Sequence, residues 1–394
     1  MTSALNPARA IEHLMDLLAV EGLSGREGAV AKAVTKKLIA AGCKPAWIRH
    51  DQAHKKIPHD FEIGNLIVRL PGTVKAPRVM FASHLDTVPL CRGAKPVRKG
   101  MRITSAGDTA LGGDNRTAVA CLVTLVETLL RDKIPHPPLT LLFTVGEEIG
   151  LWGARFVKAE DLGHPVMGFN YDSGDPAEIC VGAIGADRWE VDVRGLSSHA
   201  GVHPEHGVSA ALIAARAITD FAAGGWFGKI VKGRNSGTSN VGIVQGGEAT
   251  NQVTDHVYIK GESRSHKAAF VGRITGEIEK AFQRAAKSVR NHEGVCGKIE
   301  FRKRREYDSF RMDAKSPPVR IAAAAAKDMG LTPDLKVTNG GLDANFFNAH
   351  GVPTVTLGAG QHNPHTVAEY VDLEEFVKGC ELALRITAAC AARG

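Results

Sequence analysis

The chain has no stretch of about eighteen apolar residues free of charge, and its start, MTSALNPARAIEHLMDLLAV, lacks a basic segment leading into a continuous apolar one. No membrane span or secretory signal is expected, and the sequence reads as cytoplasmic. C-x-x-C pairs are also missing. The seven cysteines (Cys43, Cys91, Cys121, Cys180, Cys296, Cys380 and Cys390) are odd in number and widely scattered, a pattern of free thiols in a reducing compartment. Cysteine-held zinc and a disulfide framework are both excluded on that reading. Aromatic residues make up only 6% of the chain. Neither of the two basic clusters, RGAKPVRKGMR (92–102) and KIEFRKRRE (298–306), interleaves them in a nucleic-acid-binding pattern. The net charge of +7 is therefore read as solvated basic surface, with at most a weak bias toward anionic substrates and no nucleic-acid partner. No internal repeat or low-complexity linker is visible.

What is present is an ordinary globular composition, 44% hydrophobic and 23% charged over 394 residues, enough for two domains and a large core. Helical apolar spacing at Ile11, Leu14, Leu17 and Leu18, then at Val30, Val34, Leu38 and Ile39, predicts two opening helices separated by a Ser-Gly break at 24–25. Strands are predicted at 64–70, 76–84, 139–145 and 164–172, with a buried helix at 116–130. This alternation indicates an α/β domain with a largely parallel central sheet flanked by helices. Between about 188 and 307 the order becomes strand, helix, strand, strand, helix, strand, the split βαβ arrangement of a small α+β, ferredoxin-like domain. The α/β pattern then resumes, with a helix at 318–329, a strand at 352–360 and a closing helix at 373–392. The expected organisation is a domain of residues 1–187 and 308–394 interrupted by an inserted domain of residues 188–307.

Ligands of α/β sheets collect beyond the carboxyl ends of the strands, so polar residues that terminate apolar runs are informative. VMFASHLDTVP ends in His84 and Asp86, LGGDNRTA places Asp114 before a helix, LLFTVGEE ends in Glu147 and Glu148, GFNYDSG ends in Asp172, and VTLGAGQHNPHTVAEYV supplies His362 and His365. Two adjacent carboxylates at the end of a buried strand are costly unless something compensates them. A cation does so, and these N and O donors are of the kind that zinc, manganese or cobalt accepts. The inventory also fits a two-metal hydrolase: a bridging carboxylate, terminal ligands on each ion, and a separate base for the water. On that fit Glu148 is a ligand and Glu147 the general base.

The ordered motifs HLD (84–86), GGDNRTA (112–118), GEEIGLWGA (146–154), YDSG (171–174), SSHAG (197–201), GGLDA (340–344) and HTVAEYV (365–371) resemble the M20 family of metallopeptidases and deacylases, most closely its peptidase T-like branch. The resemblance implies two zinc ions per subunit, replaceable by cobalt or manganese. It implies that His84 and Asp172 bind one ion, that Glu148 and His365 bind the other, and that Asp114 bridges them. His365 is preferred to His362 because the family's histidine is followed within a few residues by an acid and a valine. Asp86 would orient His84 through its second ring nitrogen, and Glu147 would activate the water and protonate the leaving amine. The inserted domain would be the family's lid and a surface for homodimer formation. His199 would polarise the scissile carbonyl, Asn251 and Arg264 would grip a substrate carboxylate, and Asp343 would take part in substrate selection.

Three departures from the family pattern stand out: Gly146 before the glutamate pair, a long basic loop HDQAHKKIPHDFE (50–62), and Leu342 before Asp343. The M42 aminopeptidases have similar short motifs, but their second domain lies between the His-x-Asp motif and the bridging Asp. Only 27 residues separate Asp86 from Asp114 here, too few for a domain. The reaction the resemblance implies is removal of the N-terminal residue from short peptides; the alternative is deacylation of an N-acyl amino acid or a carboxypeptidase-type cleavage.

Overall fold

A computed structural model describes residues 5–392, which divide into two compact units. One unit holds the chain up to Gly182, Arg311–Thr338 and the chain from Leu342 onward; the other holds Ala183–Phe310 and Asn339–Gly341. The second unit thus begins five residues before the sequence-expected 188 and runs three beyond 307. Its first strand, Gly185–Arg194, starts ahead of the alternating RWEVDVRG segment. The outlying Asn339–Gly341 belongs to it because Asn339 accepts a bond from His266 at 2.9 Å and Gly341 lies against the Tyr307 ring.

In the first unit the large sheet runs in the order Ile48–His50, Leu66–Leu70, Leu139–Thr144, Val79–His84, Met167–Ser173, Thr354–Gly358, Glu178–Ala183. The four strands from Leu139–Thr144 to Thr354–Gly358 are mutually parallel, while the flanking pairings are antiparallel. The sheet is therefore mixed, with a parallel centre. Parallel strands covered on both faces need apolar residues at every position. Val79–His84 and Leu139–Thr144 are accordingly buried throughout.

Helix Gly113–Arg131 is also apolar almost all round, and it packs against the first two helices, the last helix and the strands Val79–His84 and Met167–Ser173. Phe81, Phe169 and Tyr171 stack beneath it, with ring centroids 5.4 and 6.5 Å apart. The first helix, Pro7–Leu18, starts where Asn6 accepts the Arg9 N–H at 3.2 Å, an N-cap worth about 1 kcal/mol. The last, Leu373–Ala391, starts where Asp372 accepts the N–H groups of Glu374 and Glu375 at 3.0 and 3.2 Å.

The second unit is a five-stranded antiparallel sheet, ordered Gly228–Lys232, Asn235–Gly246, His256–Ser265, Gly185–Arg194, Lys298–Tyr307, with helices Ala210–Ala223 and Ala268–Ser288 packed together. The split βαβ order is present with one extra edge strand, Gly228–Lys232. Trp189 fills its centre, fully buried beside Phe282 and Phe301. Gly261 is required there, since a Cβ would come within 2.2 Å of the indole. Among the described residues no helix is long and apolar enough to cross a membrane.

Candidate metal centre

Parallel register brings the strand ends to one place. His84 pairs with Thr144 across neighbouring strands, so the segments after both strands emerge side by side, and Asp172 ends the strand on the other flank. His84 is almost wholly buried, and its Nε2 lies 3.1 Å from Asp114 Oδ1 and 3.6 Å from Asp172 Oδ1. His365, half exposed, places Nε2 2.9 Å from Glu148 Oε2 and 3.4 Å from Asp114 Oδ2. The two oxygens of Asp114 therefore face two different histidines, each of which has a second carboxylate beside it. Ligand atoms of His84, Asp114 and Glu148 fall within 4.8 Å of one another. His362 is engaged elsewhere, with Nε2 2.5 Å from Glu375 and its ring stacked on Tyr370 at 4.8 Å.

The electrostatics are those of a site built for positive charge. Burial first, and then neighbouring acids, push Glu148 to about 7 and Asp172 to about 6. Glu147, 9% exposed, lies well above the usual carboxylate range, through burial and the proximity of Asp172, Asp343 and Glu148, with His84 opposing. Burial works against charge on His84, yet hydrogen bonds to Asp114, Asp172 and Asp86 hold it protonated well above its ordinary value. Bonds to Asp114 and Glu148 raise His365 to about 10. Asp114 lies below its ordinary value because the two histidines outweigh its burial. The donor set, two imidazoles and three carboxylates arranged around one shared aspartate, fits a pair of borderline divalent cations.

Asp86 does more than sequence reasoning assigned to it. His84 Nδ1 is 3.1 Å from the Asp86 carbonyl oxygen and 3.4 Å from its carboxylate. The fully buried carboxylate also accepts the N–H groups of Glu147 at 3.0 Å and Glu148 at 3.2 Å, and the Ser24 hydroxyl at 2.6 Å. It therefore orients the glutamate pair through the backbone. The peptide just before that pair is held by buried Glu27, which accepts the Gly146 N–H at 3.0 Å.

Gly146 has φ +63°, and a Cβ on it would meet Phe61 at 2.5 Å. The long 50–62 loop thus accounts for the glycine: its Ile57 and Phe61 pack with Val145 and Trp152 beneath the glutamates. On the other side Glu369, 2% exposed, accepts the N–H groups of Leu111 at 2.7 Å, Gly112 at 2.8 Å and Asp114 at 2.9 Å. Arg116, buried, donates to the Leu85 carbonyl and lies near enough to Asp86 and Glu27 to offset their charge. Sequence reasoning singled out none of Ser24, Glu27, Arg116 or Glu369 as site residues. Only Arg116 and Glu369 lie inside quoted motifs, the acid after His365 being the clearer signal; Ser24 marks the break between the first two helices, and nothing pointed to Glu27.

Asp343, expected to take part in substrate selection, is 1% exposed and contacts the Thr144 hydroxyl, where burial and nearby acids lift it to about 7. Its influence is electrostatic, exerted on groups that include Glu147. The remaining expected residues lie in the second unit. His199 is exposed and adjoins the Asn251 segment, with Ala200 N–H donating to the Asn251 carbonyl at 2.9 Å and a bridge pairing His199 with Gln252. Arg264 directs Nε and Nη2 onto Glu262 at 2.9 and 3.1 Å, so its fork is engaged within the sheet of the second unit.

The sequence model of Peptidase family M20/M25/M40 matches residues 80–389. The uncharacterized protein YqjE of Bacillus subtilis strain 168 is 31% identical over 385 residues, spanning 97% of this chain and 98% of its own. Among solved structures, the aminopeptidase PepT of Bacillus cereus ATCC 10987 is similar at 34% identity and a TM-score of 0.86, covering 98% of this chain and all of that one. A tripeptidase of Staphylococcus aureus is similar at 28% identity and a TM-score of 0.88, covering 98% and 99%.

Proposed function

This chain belongs to peptidase family M20/M25/M40, and from that premise we propose that it is a two-metal aminopeptidase that removes the N-terminal residue from short peptides. The observation that carries the metal reading is Asp114, whose two oxygens face His84 and His365 from opposite sides, each histidine with its own carboxylate. Support for the substrate class comes from the near-full-length likeness to an aminopeptidase and a tripeptidase.

His84 and Asp172 would hold one zinc ion, Glu148 and His365 the other, and Asp114 both. When bound, such ions acidify water and polarise a carbonyl. Glu147 would take the proton of the attacking water and return it to the departing amine, a role suited to a carboxylate whose proton affinity is raised by burial. Asp86 fixes the direction of Glu147 and Glu148 through their N–H groups, so neither must be oriented during the reaction. On the family resemblance His199 would supply a donor to the developing oxyanion, and Asn251 would bind the peptide carboxylate together with Arg264, whose fork would first have to leave Glu262. The exposed edge strand Gly228–Lys232 of the lid, with Val231 61% exposed, is the surface we assign to homodimer pairing.

The test is hydrolysis of an unblocked tripeptide beside its N-acetylated twin, after chelation, with and without added zinc. Cleavage of the free peptide alone, and only with metal, is the expected result. Cleavage of the acetylated peptide alone would replace the aminopeptidase reading with a deacylase or carboxypeptidase.

A further inference from the structure

The loop after His199 carries two more histidines and an acid in quick succession, SSHAGVHPEHG. The turn Pro204–His206 folds them onto one another. His203 Nδ1 lies 3.1 Å from Glu205 Oε1, and His206 Nε2 lies 3.7 Å from the same oxygen. The two imidazoles stack with centroids 4.8 Å apart and planes 7° from parallel. A third imidazole, His292, arrives from the segment after helix Ala268–Ser288 and rests against His206 at 4.5 Å.

The two segments are already joined through the backbone. His292 N–H donates to the Glu205 carbonyl at 2.9 Å, and Asn291 Nδ2 donates to the His206 carbonyl at 3.2 Å. Asn291 is itself fixed, its Oδ1 accepting the N–H groups of Glu293 and Val295 at 3.1 and 2.8 Å. Two imidazoles therefore converge on the Glu205 carboxylate, and the third, His292, stacks beside them with its Nε2 3.9 Å from Glu293 Oε1, on a framework that does not depend on their side chains.

We propose that His203, Glu205 and His206, with His292 as fourth ligand, form a surface site for a borderline divalent transition-metal ion such as Zn2+ or Ni2+. One ligand atom each from His203, Glu205 and His206 already falls within 4.8 Å of the others. Bonds of about 2.0 to 2.1 Å in a tetrahedral zinc site place neighbouring ligands roughly 3.3 Å apart, so small rotations bring these three side chains into range, and His292, stacked on the His206 ring, would turn its Nε2 from Glu293 to join them. An imidazole-rich set with one carboxylate selects such ions over calcium or magnesium, which require oxygen ligands. The site shares no residue with the metal centre of the first unit and does not depend on the reaction proposed for it. The ion would staple the His199 loop to the 291–293 turn, because His203 N–H already donates to the His199 carbonyl at 3.0 Å.

The test compares untagged, zinc-loaded wild-type protein with the double variant His203→Asn/His206→Asn. Both are dialysed to equilibrium against Ni2+, and the total metal ions per chain are counted by elemental analysis. Both mutated side chains are more than half exposed, so folding should be retained, and the single variant His292→Asn provides a second comparison. The wild type should carry one ion per chain more than the double variant, and it alone should be held by a nickel-chelate column. Equal ion counts in the two proteins overturn the proposal whatever the column shows.

Discussion

Replacing Glu27 by glutamine should stabilise the metal-free protein, by an amount that grows with pH. Glu27 is fully buried; its Oε1 accepts the N–H groups of Gly25 at 2.9 Å and Gly146 at 3.0 Å, whereas Oε2 has no partner. Burial, and secondarily the Asp86 carboxylate, raises its pKa from an ordinary 4.5 to about 8. Below 4.5 the folded and unfolded chains both hold the proton, and the group has no effect on stability. Between 4.5 and 8 the unfolded chain releases a proton that the folded protein keeps, so stability falls as pH rises, and above 8 the loss is complete. At about 1.4 kcal/mol for each tenfold, the ceiling is on the order of 5 kcal/mol. Water entry and side-chain relaxation should reduce the observed loss to about 2 kcal/mol. Glutamine keeps the Oε1 acceptor for both N–H groups and carries no charge. Urea unfolding of the two chelated proteins at about pH 5 and about pH 8.5 reads the effect as a widening gap in favour of Glu27→Gln. A gap of the same size at both pH values, or a variant less stable at the higher one, would refute the reasoning.

Two further substitutions probe other parts of the structure. Glu369→Ala should cost at least about 3 kcal/mol in urea unfolding, because three buried N–H groups lose their acceptor, and should weaken zinc binding roughly 10- to 100-fold by loosening Asp114; an unchanged zinc titration would remove its positioning role. Phe282→Ala should destabilise the second unit by roughly 3 to 5 kcal/mol, since the ring is fully buried between Trp189, Phe221 and Phe301, and a shift in the unfolding midpoint equivalent to under about 1 kcal/mol would contradict that packing.

The convergence of the candidate ligands was legible in sequence because these residues stand where apolar runs stop. His84, Asp172 and the Glu147–Glu148 pair each close a strand or follow one directly, and parallel pairing turns those stops into one location. The supporting groups were not legible, because their partners come from remote segments. Ser24 read only as part of a helix break and Glu27 not at all, yet they brace Asp86 and the Gly146 peptide, and Phe61 in a basic loop dictates a glycine next to the glutamate pair. The setting of Asp343 was hidden for the same reason: a motif gives an acid's position in the chain but not its 1% exposure. Short edge strands were also missed. Gly228–Lys232 carries few apolar residues and turns through Gly233 at φ +60°, so its alternation was too brief to separate from a loop.

The central claim is that Glu147 moves the proton while the surrounding residues hold the metal. Glu147→Gln should be loaded with zinc, its metal content counted, and its turnover of a free tripeptide compared with wild type. The account predicts the same metal content in both proteins, two ions in the first unit's centre besides any held at the His203–Glu205–His206 surface site, and a fall in kcat of roughly 10²- to 10⁴-fold. A variant that keeps its metal and near-full activity would contradict it.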